Sequence, residues 1–158
     1  MIKVLNEKYT LIYITIVNTI CLTLYVAKLF SEKPRFDDII IIILSFLSIA
    51  CILSIINKKF LKLSYLYLCL VYLLQSFTIF FFNLAWKLII GPDLSFYLMR
   101  DGDLTSKLDL KLFNLQFFYN TILNNNSWLI GINFIHLIIF YNLYKSTIIT
   151  IKKTNNAA

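Results

Sequence analysis

Residues 63–90, LSYLYLCLVYLLQSFTIFFFNLAWKLII, constrain this chain more than any other stretch. Read as one α-helix, the run would rise about 42 Å at 1.5 Å per residue, more than the roughly 30 Å hydrocarbon core of a bilayer. No charge, Pro or Gly falls between Leu63 and Phe82, and the first charge after Lys62 is Lys87, so a membrane segment is expected. Its polar residues Tyr65, Cys69, Tyr72, Ser76 and Asn83 recur near one line of such a helix, with Gln75 beside them. The stripe reads as an interhelical seam in preference to a pore lining, because tyrosines are bulky and polar groups commonly join membrane helices.

Three further runs have the same character, at 9–30, 39–56 and 128–151. With 59% hydrophobic and 15% charged residues in 158, the expected fold is all-α, a single polytopic membrane domain over 1–158 with four transmembrane helices. The run after the basic stretch 1–8 lacks an A-x-A-like exit and reads as a span, not a cleaved leader. Pro34 breaks the first link and Asp37 or Asp38 offers the next N-cap. Residues 91–127 form the one long outer loop. Its Arg100-Asp101-Gly102-Asp103 reads as a solvated turn. Beyond it, Leu108, Leu112, Leu115, Tyr119 and Ile122 recur at helical spacing after a Ser106-to-Asp109 capping pattern. An amphipathic interfacial helix over about 107–123 is therefore expected, although Leu108, Leu110 and Leu112 also alternate as a strand would.

Four spans put both termini on one side. That side carries Lys3, Lys8, Lys58, Lys59, Lys62, Lys145, Lys152 and Lys153 against Glu7 alone, while the opposite side balances seven bases with seven acids. The basic side is expected to be cytoplasmic, at the cell (inner) membrane. The net charge of +7 is thereby absorbed by membrane flanks, and no specific nucleic-acid partner is expected. Cys21, Cys51 and Cys69 fall within spans, without metal or redox spacing, and are read as free thiols.

His136, with Asn133 one turn earlier, is the residue a transport mechanism would use, since ionisable groups inside membranes are functional by default. The competing reading is structural: a neutral His136 bonded across a helix interface to Asn18, Gln75 or Asn83, with no Asp or Glu inside any span to share a proton. Helix packing or an ion path is thus assigned to Asn18, Tyr72, Gln75, Ser76, Asn83, Asn133 and His136. HExxH, GxSxG and phosphate-binding Gly loops are lacking, so no catalytic residue, metal or cofactor is expected, and no enzyme.

Four closely spaced spans from Tyr9 to Ile151, with short basic tails in an Ile-, Asn-, Lys- and Phe-rich chain, resemble the small membrane components of bacterial anti-phage or toxin-immunity modules, among them the Kiwa membrane subunit. The resemblance implies a homo-oligomeric membrane sensor whose cytoplasmic face, here Lys58, Lys59, Lys62, Lys152 and Lys153, recruits an intracellular effector in antiviral defence. A non-enzymatic sensor or scaffold is the leading expectation. A small channel or transporter component and a toxin immunity protein are the alternatives.

Overall fold

The computed structural model describes residues 7–33, 35–81, 84–120 and 127–155. Its elements are α1 (Glu7–Ser31), α2 (Phe36–Ile56), α3 (Leu61–Ser76), β1 (Phe77–Phe81), β2 (Leu84–Asp101), β3 (Asp103–Asn120), β4 (Trp128–Asn133) and α4 (Phe134–Asn155). The chain is mixed α and β, and the all-α expectation is wrong. Among the described residues, three helices are long and apolar enough to cross a membrane, Glu7–Ser31, Phe36–Ile56 and Phe134–Ile151, where four were expected.

The 63–90 run is not one helix. α3 ends at Ser76, and its 16 residues rise only about 24 Å. The segment directly after it, Phe77-Thr78-Ile79-Phe80-Phe81, is entirely β-branched or aromatic, the composition that loses most side-chain freedom in a helix and packs best on a pleated surface. Residues 107–120 of the expected helix over 107–123 belong to strand β3 instead, residues 121–123 lying outside the described residues, and the alternation of Leu108, Leu110 and Leu112 is the period that holds. The fourth predicted span is likewise divided, with residues 128–133 forming β4 before α4 begins at Phe134. At the start of α2, Arg35 precedes the first turn and Asp38 reaches back to accept the Arg35 backbone N–H at 3.2 Å, in place of the expected Asp cap.

β2 and β3 make a long antiparallel hairpin turning at Gly102, whose φ of +81° suits glycine, with Asp101 opposite Asp103. The ladder slips once. Pro92 has no N–H to donate, and between the pairs Gly91↔Asn114 and Asp93↔Lys111 it alone faces two residues of β3. Gly91, at φ +115°, takes the bend. Its consequence is topological. β1 pairs antiparallel with the start of β2 (Phe81↔Leu84 to Thr78↔Lys87) and, on its other edge, with β4. β4 in turn pairs antiparallel with the second half of β2 (Ser95↔Asn133 to Arg100↔Trp128). The two halves of β2 therefore run in opposite directions, and four strand segments close a small ring with β3 alongside.

Thr78, Lys87, Tyr97 and Gly131 share one face, being direct cross-strand partners. That face is the inside of the ring, because the Lys87 ammonium lies 5.4 Å from the centroid of the Tyr97 ring although their strand segments are not neighbours. Gly131 leaves room for the Tyr97 ring, which a Cβ at that position would strike.

The helices pack beneath and beside the ring. Ile14, Ile52, Ile55, Leu68, Tyr72, Ile139 and Leu143 make one core among the four helices. A second core joins Val17 and Cys21 of α1 and Ile41 of α2 to Leu88 and Ile90 of β2. The sheet is thus packed into the bundle and not merely tethered to it.

Candidate functional site: a buried polar centre where sheet meets bundle

The bend in β2 carries Asp93 into the floor of the ring, where it is fully buried. Asp93 Oδ1 accepts from Asn133 Nδ2 at 3.0 Å and from the Ser95 hydroxyl, and Oδ2 accepts from Asn114 Nδ2 at 2.8 Å. Asp93 forms no ion pair among the described residues, and three donors compensate a buried negative charge that would otherwise be costly. The supply of donors follows from the fold. Ser95 is two residues along the same strand face, Asn114 flanks the bulge of β3, and Asn133 closes β4.

Asn133 has a second role that fixes its orientation. Its Oδ1 accepts the backbone N–H of Ile135 at 3.1 Å and of His136 at 3.3 Å, capping the start of α4. The amide nitrogen must then point at Asp93. One turn into α4, His136 Nε2 faces the carbonyl oxygen of Ile90 at 3.1 Å and so donates to it. The backbone N–H of Ile90 donates to Gln75 Oε1 at 3.1 Å. A continuous run of bonds therefore joins β3, both halves of β2, β4, α4 and α3, with every side chain in it buried.

On the bundle side of this centre, His136 and Tyr72 approach with ring centroids 5.7 Å apart. With Nε2–H committed to Ile90, neutral His136 presents a bare Nδ1, which is buried and has no partner among the described residues. The hydroxyls of Tyr13 and Tyr72 share that condition. Tyr72 Oη is in range of Asn18 without a hydrogen bond of good geometry. Gly91 sits at the join, since a Cβ there would lie 2.8 Å from Val17 and 3.4 Å from the Tyr13 hydroxyl.

The sequence-predicted residues divide accordingly. Asn133, His136 and Gln75 are in the network, and Tyr72 abuts it. Ser76 is buried but donates to the Tyr72 carbonyl at 2.7 Å within its own helix, and Asn18 likewise donates to Ile14 at 2.8 Å. His136 bonds the Ile90 carbonyl and not the side chains of Asn18 or Gln75. Asn83 lies outside the described residues. Tyr65 and Cys69 face α1 and α4, through Glu7 and through Thr147 at 3.4 Å. The charged centre itself, Asp93 with Ser95 and Asn114, falls in the stretch 91–127 expected to be an outer loop, and sequence reasoning does not single it out. The signal was present as a period of two, Asp93, Ser95 and Tyr97 alternating with Leu94, Phe96 and Leu98.

Lys58, Lys59 and Lys62 are exposed at the α2–α3 turn, at the end of the bundle away from the sheet, and Lys152 and Lys153 fall in the last turns of α4. The described residues hold no group of three or more His, Cys, Asp or Glu placed to bind a metal. No protein-family model, curated protein or solved structure matches this chain.

Proposed function

We propose that this chain is a non-enzymatic, oligomeric membrane sensor or scaffold in bacterial anti-phage defence, whose sheet receives a signal on one side of the cell membrane and whose basic face engages a cytoplasmic protein on the other. The observation that carries this reading is the Asp93–Asn133–His136 run, which couples sheet to bundle by buried bonds. A rigid polar joint of this kind transmits displacement of the ring to α3 and α4 better than an apolar contact would, because bonded polar groups cannot slide without leaving a partner unpaired. Helix direction puts Lys58, Lys59, Lys62, Lys152 and Lys153 at the far end from the ring.

Oligomerisation has its own support. Gly91 meets Val17, ten residues from Glu7 and fourteen from Ser31, about 15 and 21 Å along α1. If α1 spans the bilayer, the floor of the ring lies near its mid-depth, where an open strand edge cannot face lipid. β3 has such an edge. Leu104, Leu108, Leu110 and Leu112 are exposed on one of its faces, and Lys107, Asp109 and Lys111 alternate on the other. A second copy fits this edge antiparallel about Leu108, which places Lys107 opposite Asp109 twice and Leu104 opposite Leu112 twice, so the strand is complementary to itself.

The test is phage plating on cells that carry the gene with its genomic neighbours. Replacing the five basic-face lysines by Gln, and separately Asp93 by Asn, should each abolish protection while membrane levels persist. Full protection by the five-lysine variant would refute recruitment through that face. Ion flux in liposomes, lost in His136→Ala, would instead establish the channel alternative.

A further inference from the structure

We infer that the outer face of the second half of β2 and its neighbours in β3 and β4 is covered by acyl chains of the bilayer, so that the sheet, and not the helices alone, is inserted in lipid. The strand register carries the argument. Along this half of β2, Asp93 pairs with Lys111, Ser95 with Asp109 and Tyr97 with Lys107. These pairs share the face that lines the ring. The residues between them pair on the opposite face, Leu94 with Leu110, Phe96 with Leu108, and Leu98 with Ile130 of β4. Polar groups therefore point in and apolar groups out, the reverse of a sheet that faces water and the arrangement of strands that face lipid. Of the six outer side chains, those of Phe96, Leu108, Leu110 and Ile130 are exposed.

The occupant follows from where the sheet is held. The first half of β2 packs through Leu88 and Ile90 on Val17, Cys21 and Ile41, all within the apolar lengths of α1 and α2, and β4 runs directly into α4 at Phe134. If those helices span, the sheet sits at hydrocarbon depth, and the inference rests on that membrane reading. Acyl chains need only apolar contact. A protein partner or a polar ligand would meet no donor, acceptor or charge on these six side chains to orient it. Pairing of two copies along the free edge of β3 widens the face and leaves it open.

Collision measurements on a nitroxide attached at single cysteines test the inference, in the full chain with its native cysteines replaced, reconstituted in vesicles of phosphatidylethanolamine and phosphatidylglycerol. Oxygen concentrates in hydrocarbon and a nickel chelate stays in water. At Phe96→Cys and Ile130→Cys the oxygen collision rate should exceed that of the chelate, and at Lys107→Cys, on the inner face, the order should reverse. Chelate in excess at Phe96→Cys and Ile130→Cys overturns the inference. So does a label at those sites that neither reagent reaches, which would place a second protein surface there. Oxygen in excess at Lys107→Cys would remove the inversion of polarity and overturn it as well. Ile43→Cys, exposed on α2, keeps this failure apart from that of the membrane reading. Oxygen in excess at Ile43→Cys with chelate in excess at Phe96→Cys would leave the helices spanning and the sheet in water, whereas chelate in excess at both would reject the membrane reading itself.

Discussion

Asn133 donates to Asp93 with one end of its amide, at 3.0 Å, and caps α4 with the other. These two bonds set opposite demands on a substitution. If the residue served only as a helix cap, Asp would replace it well, because a carboxylate accepts the same backbone N–H groups. Against Asp93, however, a second buried carboxylate is repelled. Asn133→Ala is expected to lose about 2–4 kcal/mol, from the cap and from a donor removed from a buried charge, and Asn133→Asp should be no better. Thermal unfolding in detergent checks this, and a stable Asn133→Asp protein would reduce the centre to a cap.

The bend at Gly91 is expected to be equally intolerant. Alanine there meets two obstacles, a φ of +115° that only glycine adopts comfortably and Val17 at 2.8 Å from the new Cβ. Together they should cost about 2–4 kcal/mol. The two contributions separate in a double-mutant cycle. Val17→Ala should be less harmful in the Gly91→Ala background than alone, since it relieves the clash, while the backbone strain remains. Strict additivity in unfolding measurements would show that α1 and the bend do not touch.

How much of this was readable beforehand depended on whether a residue's neighbours were local. α1 and α2 follow from long apolar runs whose period and flanking charges lie within the segments themselves. The 63–90 run misled because hydropathy fixes burial and not period. Leu, Ile and Phe suit a membrane helix and a buried strand alike, and the shift from leucine-rich residues 61–74 to Phe77-Thr78-Ile79-Phe80 was the only local mark of the change. β3 carried both periods at once, and what decided between them was pairing with β2, a long-range event. The site was half legible for the same reason. Asn133 and His136 stand out as polar residues in an apolar run, whereas Asp93 becomes a buried group only once Asn114 and Asn133 are brought to it from 21 and 40 residues away.

Self-pairing of β3 predicts a specific cross-link. With the native cysteines replaced, Leu108→Cys should form a disulfide dimer in membranes under mild oxidation, because the proposed twofold places that residue opposite its own copy. Charge reversal tests the register. Lys107→Asp should lower the dimer yield, and the swap Lys107→Asp with Asp109→Lys should recover it. Failure of the swap to rescue would exclude this register even if dimers form by another route.

Topology can be tested with a probe that the fold makes available. Ser95 is buried against Asp93 and would report folding, not sidedness. Leu104, exposed on β3, and Lys59, exposed in the α2–α3 turn, lie at opposite ends of the molecule. In a background without native cysteines, Leu104→Cys should react with an impermeant maleimide added to intact cells, and Lys59→Cys only after permeabilisation. The opposite pattern would invert the protein in the membrane. It would also move the basic face outside, where no cytoplasmic partner can reach it, so this one measurement bears on the proposed recruitment as strongly as on orientation.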